Sequence, residues 1–156
     1  MKNSHRREAF ILAAATGLLG VTFGVLADSA EFSLAQAVVL SSLTFTGASQ
    51  FAAVSVIDSG GNPITAVGSA LLLAARNSLY GPLVAPLLRT PSRIRRAVAI
   101  HLVIDETTAM ATAQNTLEES RDAFWFTGIW LFIFWNTGTI IGVLVGGLLE
   151  DPSVWG

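Results

Sequence analysis

Long uncharged runs alternate along the chain with short polar or charged stretches: Ala9 to Ala27, Phe32 to Ile57, Ser59 to Ala75 and Ala123 to Leu149. About 20 apolar residues suffice for a helix to cross the hydrocarbon core of a bilayer. Backbone amides find no water there, so a spanning segment must be a helix or part of a closed barrel, and these runs lack the period-two alternation of barrel strands. The pattern predicts an all-α, multi-pass transmembrane helical bundle, one integral-membrane domain over residues 1–156. The run of 19 from Ala9 is longer than a usual signal-peptide core, and Leu26-Ala-Asp-Ser is a poor cleavage site, so the first helix is expected to be retained.

Charge sets the expected topology. Basic residues near helix ends favour the cytoplasm, so Lys2, Arg6 and Arg7 place the N-terminus inside and send the first helix out to the acidic link Asp28-Ser-Ala-Glu31. Arg89, Arg93, Arg95 and Arg96 in "RTPSRIRR" should also be inside. If Phe32 to Ile57 and Ile64 to Leu88 each crossed once, that cluster would lie outside. One of them must therefore not be a plain crossing. Residues 43–51, "LTFTGASQF", carry Gly47 among hydroxyls and Gln50, a weak place for a continuous lipid-facing helix, and a re-entrant or broken element is expected there. Asp58 to Pro63 is then an outer turn, and the segment from Ala97 to about Ala113 goes out again. Glu118 to Asp122 should form an outer loop, and the final run, with Trp125, Trp130, Phe132, Phe134 and Trp135 as an interfacial aromatic belt, should cross inward.

Composition adds little beyond this. Apolar residues make up 52% and charged ones 13%, with a net charge of −2 and a mean hydropathy of +0.60, which is a membrane composition. No cysteine is present, which excludes disulfides and thiol catalysis, and no basic, aromatic-interleaved surface suggests nucleic acid.

The polar residues inside apolar runs are the candidates for chemistry. Arg76 lies mid-run, where an arginine costs at least a few kcal/mol and faces a partner or a cavity. It serves either substrate or ion passage, or pairs with an acid to hold two helices together. Asn77 and Tyr80 follow it, with Tyr80 on the Arg76 face, and Gly81-Pro82 should break or kink the helix. Asp105 and Glu106 are adjacent carboxylates whose mutual repulsion favours a protonatable site, and His101, four residues before Asp105, would complete a proton relay on one helical face. The alternative is that this segment sits shallowly, with its acids solvated, as Asp28 and Glu31 are expected to be. Gln50, with Thr44, Thr46 and Ser49, offers neutral donors and acceptors that serve packing or binding alike. Gly138, Gly142 and Gly146, four apart, point to close helix contact within this chain or with another subunit, leaving room for oligomerisation. Metal-ligand spacing, nucleophile motifs and phosphate or dinucleotide loops are absent from the sequence, so it points away from an enzyme and to no cofactor. Comparing "FTGASQF" with "WNTGTIIG" for an inverted repeat yields a shared Thr-Gly and nothing more.

The ordered set "FTGASQF" (Phe45 to Phe51), "ARNSLYG" (Ala75 to Gly81), "RTPSRIRR" and "IDETTAMA" (Ile104 to Ala111) resembles the AzlC family of branched-chain amino-acid exporters, from the first helix to "EDPSVWG". The resemblance implies a permease subunit of a prokaryotic plasma membrane, N-terminus cytoplasmic, that exports leucine, isoleucine, valine, methionine or other apolar amino acids together with a small AzlD-type membrane subunit. The family's polar motif positions fall on Gln50, Arg76, Asn77, Tyr80, Asp105 and Glu106. Members usually continue into further apolar segments, so the chain is expected to lack C-terminal helices of the full domain. Ala75 and Ser78 stand where bulkier residues are common, which leaves substrate size open. On this reading Arg76 takes the substrate carboxylate, Asp105 or Glu106 takes the ammonium or a coupling proton, and the broken element forms a gate or floor. A transport-inactive structural subunit, locked to a partner by intramembrane ion pairs, is the rival, and a channel is a third possibility.

Overall fold

The structure is a computed structural model that describes residues 4–88 and 92–149; Lys2, Arg89 and the stretch Glu150 to Gly156 lie outside the described residues. It is all-α, with no strand among those residues. Two helices among them are long and apolar enough to cross a membrane, α1 (Ser4–Ser29) and α8 (Leu117–Leu149). At 1.5 Å per residue they extend about 40 and 50 Å.

These two helices form the spine, and they run parallel. His5 and Arg6 meet Asp122 at one end, Gly17 and Gly20 meet Phe134 and Trp135 midway, and Asp28 meets Gly146 at the other end. Small residues make the approach possible: a Cβ built on Gly20 would stand 2.6 Å from the Trp135 carbonyl oxygen, and Gly24, Gly138 and Gly142 face the partner's main chain still more closely. The glycine spacing of the last helix thus marks a contact with α1, as expected.

Parallel packing corrects the expected topology. Glu118 to Asp122 lies at the same end as the N-terminus, so it does not form a loop on the opposite side, and α8 runs in the direction of α1. We call this the basic end: Arg6 lies over Phe126, Arg95 over Trp125, and Arg121 donates from Nε to the Leu87 carbonyl at 2.8 Å. Arg93, Arg95 and Arg96 therefore begin their helix at the end that carries Arg6 and Arg7, as the charge argument required.

The segments between the spine helices explain how both constraints hold. Helix α2 (Leu34–Leu43), capped by Ser33, ends mid-spine, where Ser41 and Ser42 bond Thr139 and Asn136. The chain breaks at Thr44 to Gly47, the latter at φ 50°, and restarts as α3 (Ala48–Asp58). Asn62 caps α4 (Pro63–Ala74), which lies antiparallel to α3, with Ala53 against Ala66 and Ala70. A 3-10 turn (Ala75–Tyr80) and the single turn α5 (Gly81–Val84) carry the chain on to Leu87 at the basic end. Phe32, Ile57 and Pro63 line one common cavity, consistent with α3 returning to the end from which α2 came. The expected broken element at residues 43–51 is thus a hairpin, and α4 to α5 make the return passage.

A second hairpin was not expected. Helix α6 (Arg93–His101) climbs from the basic end along α8 as far as Phe132, then breaks at Leu102 to Ile104. Helix α7 (Asp105–Thr112) packs back along α8 and leads directly to Leu117. The segment from Ala97 to Ala113 therefore turns back on itself and does not go across. Trp135 also departs from expectation: it is 4% exposed and mid-helix, stacked on Phe23 and edge-on to Phe51, so it belongs to the core and not to an aromatic belt. Asp28 lies within α1, with Oδ2 sealed against Gly146, and is not a solvated loop acid.

Candidate functional site

The tips of the two hairpins meet at mid-spine, where the Phe45 and His101 rings stack with centroids 5.9 Å apart. A helix that breaks inside an apolar environment exposes carbonyls and amides that must be bonded. Gln50 does most of this at the first tip. It is 0% exposed, donates from Nε2 to the carbonyls of Ser41 (3.0 Å) and Thr44 (2.9 Å), and accepts at Oε1 from the Trp135 indole (2.9 Å). The Thr44 hydroxyl donates to the Leu40 carbonyl at 2.6 Å. Gln50 therefore braces the break, and it does not line the charged cavity described next. At the second tip Thr107 has the same duty: its Oγ1 donates to the Leu102 carbonyl at 2.6 Å and accepts from the Ile104 amide.

Arg76 sits opposite this tip, in the 3-10 turn that tightens the backbone just before Pro82, whose missing N–H interrupts the α-helical ladder. Its guanidinium meets Asp105 Oδ2 at 2.6 Å, and the Tyr80 phenol interacts with the same carboxylate. The two side chains are 48% and 41% exposed, so the described residues do not seal the pair. Glu106 follows Asp105 in the first turn of α7, where the helix dipole favours acids, and no cation reaches it within ion-pair distance among the described residues. Arg76, Asn77, Asp105 and Glu106 share a cavity of about 160 Å³ floored by Phe45 to Ala48 and Trp135.

A second cavity of about 540 Å³ lies on the other side of Asn77. Leu40, Leu71, Ile100 and Val103 make its walls mainly apolar, and it meets the charged cavity at Phe45, Thr46 and Asn77. His101 lines this apolar space and not the charged one. Because α6 ends at His101, the continuous helix that would put His101 and Asp105 on one face does not exist, and the relay expected from that spacing is not built.

Of the residues marked in the sequence, the structure brings Arg76, Asn77, Tyr80, Asp105 and Glu106 together, and sets Gln50 and His101 at the edges. Ala48 and Trp135 were missed as lining of the charged cavity, since an alanine in an apolar run carries no polar signal and Trp135 reads as one of an aromatic cluster, whereas Gly47 and Ser49 belong to the broken element expected from the sequence. Among the described residues no group of three or more His, Asp or Glu side chains is placed to hold a metal.

The family model described as AzlC protein matches residues 12–149. Among curated relatives, the inner membrane protein YgaZ of Escherichia coli (strain K12) is 31% identical over 139 residues, which covers 85% of this chain and 56% of that protein. An uncharacterized membrane protein of Archaeoglobus fulgidus is 33% identical over 137 residues, covering 86% of this chain and 58% of that protein. The chain thus spans little more than half the length of these relatives. No solved structure matches it.

Proposed function

Because the chain belongs to the AzlC family of membrane proteins, we propose that it is the permease subunit of an exporter that carries branched-chain or other apolar amino acids across a prokaryotic plasma membrane. One observation supports this reading above others: a small cavity holding both signs of charge adjoins a larger apolar one, with Asn77 between them. An apolar amino acid has this shape, a zwitterionic head joined to an oily side chain. Glu106, with no cation at ion-pair distance among the described residues, suits the ammonium or a coupling proton, and Arg76 with Asp105 closes the charged side. The first hairpin tip floors the site, and movement of either tip past the other would open it to one end or the other.

In this proposal the basic end is cytoplasmic and a small AzlD-type membrane subunit covers the outward side of the Arg76–Asp105 pair. The test is uptake of labelled leucine into inverted vesicles carrying the chain with that subunit. Glu106→Gln or Asp105→Asn should abolish uptake, and uptake unchanged in both would refute the assignment. The Arg76–Asp105 contact also favours a second reading, a transport-inactive structural subunit whose ion pair merely locks two elements together. A chain that fails to relieve the toxicity of a branched-chain analogue in cells that also make the partner supports that reading.

A further inference from the structure

Resting on the transport reading above, we propose that the substrate carboxylate sits on the N-terminus of α3, held by the main-chain amides of Ala48 and Ser49 and by the Ser49 hydroxyl, and not by Arg76. A helix start leaves its first amides unbonded. At four other starts the chain covers them: Ser33 caps α2, Asn62 caps α4, Ser92 caps α6, and α7 begins with its own acids. Helix α3 starts on Gly47, which has no side chain to cap with, and no acid follows in its first turn. The amides of Ala48 and Ser49 have no acceptor among the described residues.

A second feature points to a ligand independently. Ser49 is 1% exposed, and its Oγ is buried with no hydrogen-bond partner, although a serine in a first helical turn ordinarily finds one. Ser49 lines the apolar cavity and Ala48 the charged one, so the helix start stands where the two cavities meet. A carboxylate there would satisfy two amides and a hydroxyl, gain from the dipole of an 11-residue helix, and leave the apolar side chain in the larger cavity. Arg76 is a poorer seat, since it already holds Asp105 at 2.6 Å and would have to give up that contact. The ammonium then faces Glu106 across the charged cavity.

Equilibrium binding of radiolabelled leucine and of radiolabelled isoamylamine, which is leucine without its carboxylate, to the full chain with its partner subunit in liposomes separates the outcomes. Ser49→Ala should weaken leucine about tenfold, the loss of a hydrogen bond to a charged group, and leave isoamylamine unchanged. Ala48→Pro removes one amide at a position where proline suits a helix start, and should do the same. Equal weakening of both ligands, or of neither, overturns the carboxylate seat while the transport reading stands. If the wild-type protein binds neither ligand, the transport reading fails and the seat fails with it.

Discussion

Replacing Gly20 by alanine tests the spine. The added Cβ would stand 2.6 Å from the Trp135 carbonyl oxygen and 3.2 Å from its Cα, the first about 1 Å inside the optimum for nonbonded atoms. Both obstacles are helix main chain, so no rotamer change relieves the clash and the helices must separate along their whole contact. Overpacking of this kind costs about 3 kcal/mol at its upper range. Alanine returns about 1 kcal/mol through helix propensity, which leaves a net loss of about 2 kcal/mol. The same substitution at Gly68 in α4 meets nothing within 4 Å and should gain about 1 kcal/mol. Tryptophan fluorescence during thermal unfolding in detergent should therefore show opposite shifts, a fall of roughly 4–8 °C for Gly20→Ala and a rise of roughly 2–4 °C for Gly68→Ala. A Gly20→Ala protein that melts with the wild type would mean that α1 and α8 do not pack backbone to backbone.

Other consequences are equally direct. The chain has no cysteine, so Ser4→Cys and Glu118→Cys can each be labelled alone with an impermeant maleimide; both should react from one side of the membrane and Gly60→Cys from the other, and opposite sides for the first two would contradict the parallel spine. Asp122, in the polar turn before the uncharged run of α8, has its pKa lowered to about 2, chiefly by the hydrogen bond from Arg6, with burial opposing and His5 assisting. A depressed carboxylate pKa contributes stability above its unfolded value that disappears as pH falls through the folded one, so the melting deficit of Asp122→Asn should hold at neutral pH and vanish between about pH 4 and pH 2. A deficit independent of pH would mean the pair contributes packing alone. Gln50→Leu should lower stability by about 1–3 kcal/mol for each group left unpaired, namely the Ser41 carbonyl and the Trp135 indole, since the Thr44 carbonyl keeps the Thr46 amide, and a variant as stable as wild type would remove Gln50 from its bracing role.

How far the sequence could be read depended on what each signal measures. Hydrophobic run length identified α1 and α8, because that is the property a spanning helix needs. The hydroxyls, Gly47 and Gln50 showed that the chain breaks near residue 45, since a broken helix must bond its own ends. Charge counting then required one segment to turn back, and α2 with α3 does so. The second turn was invisible for a physical reason. At Leu102 to Ile104 the polar work falls to Thr107, which reads in sequence as an ordinary helical threonine, and to two carboxylates that looked like members of one continuous helix. Without that turn, a continuous helix puts His101 and Asp105 on one face and carries Asp122 to the opposite side. Arg76 was legible as a group in need of a counter-charge, and its partner was among the acids named; that they meet across a hairpin tip follows from topology, which spacing alone does not carry.

The position of the charges is tied to the breaks by one energetic requirement. A guanidinium within an apolar layer needs an anion or water, and an anion there needs donors or a positive dipole. Continuous helices supply neither, because their backbone groups are already paired. A helix that starts in mid-layer supplies a positive end, and Asp105 of α7 sits on one such end while reaching Arg76. The arrangement therefore has an order of dependence: the tip at Leu102 to Ile104 stabilises Asp105, and Asp105 makes Arg76 tolerable. Asp105→Asn should then be more damaging to the folded yield than Arg76→Gln, and the double variant should recover part of that loss, since it removes the uncompensated cation. Strictly additive losses in detergent-extracted monodisperse protein would show that the two residues act independently and that the tip, not the ion pair, holds this region in place.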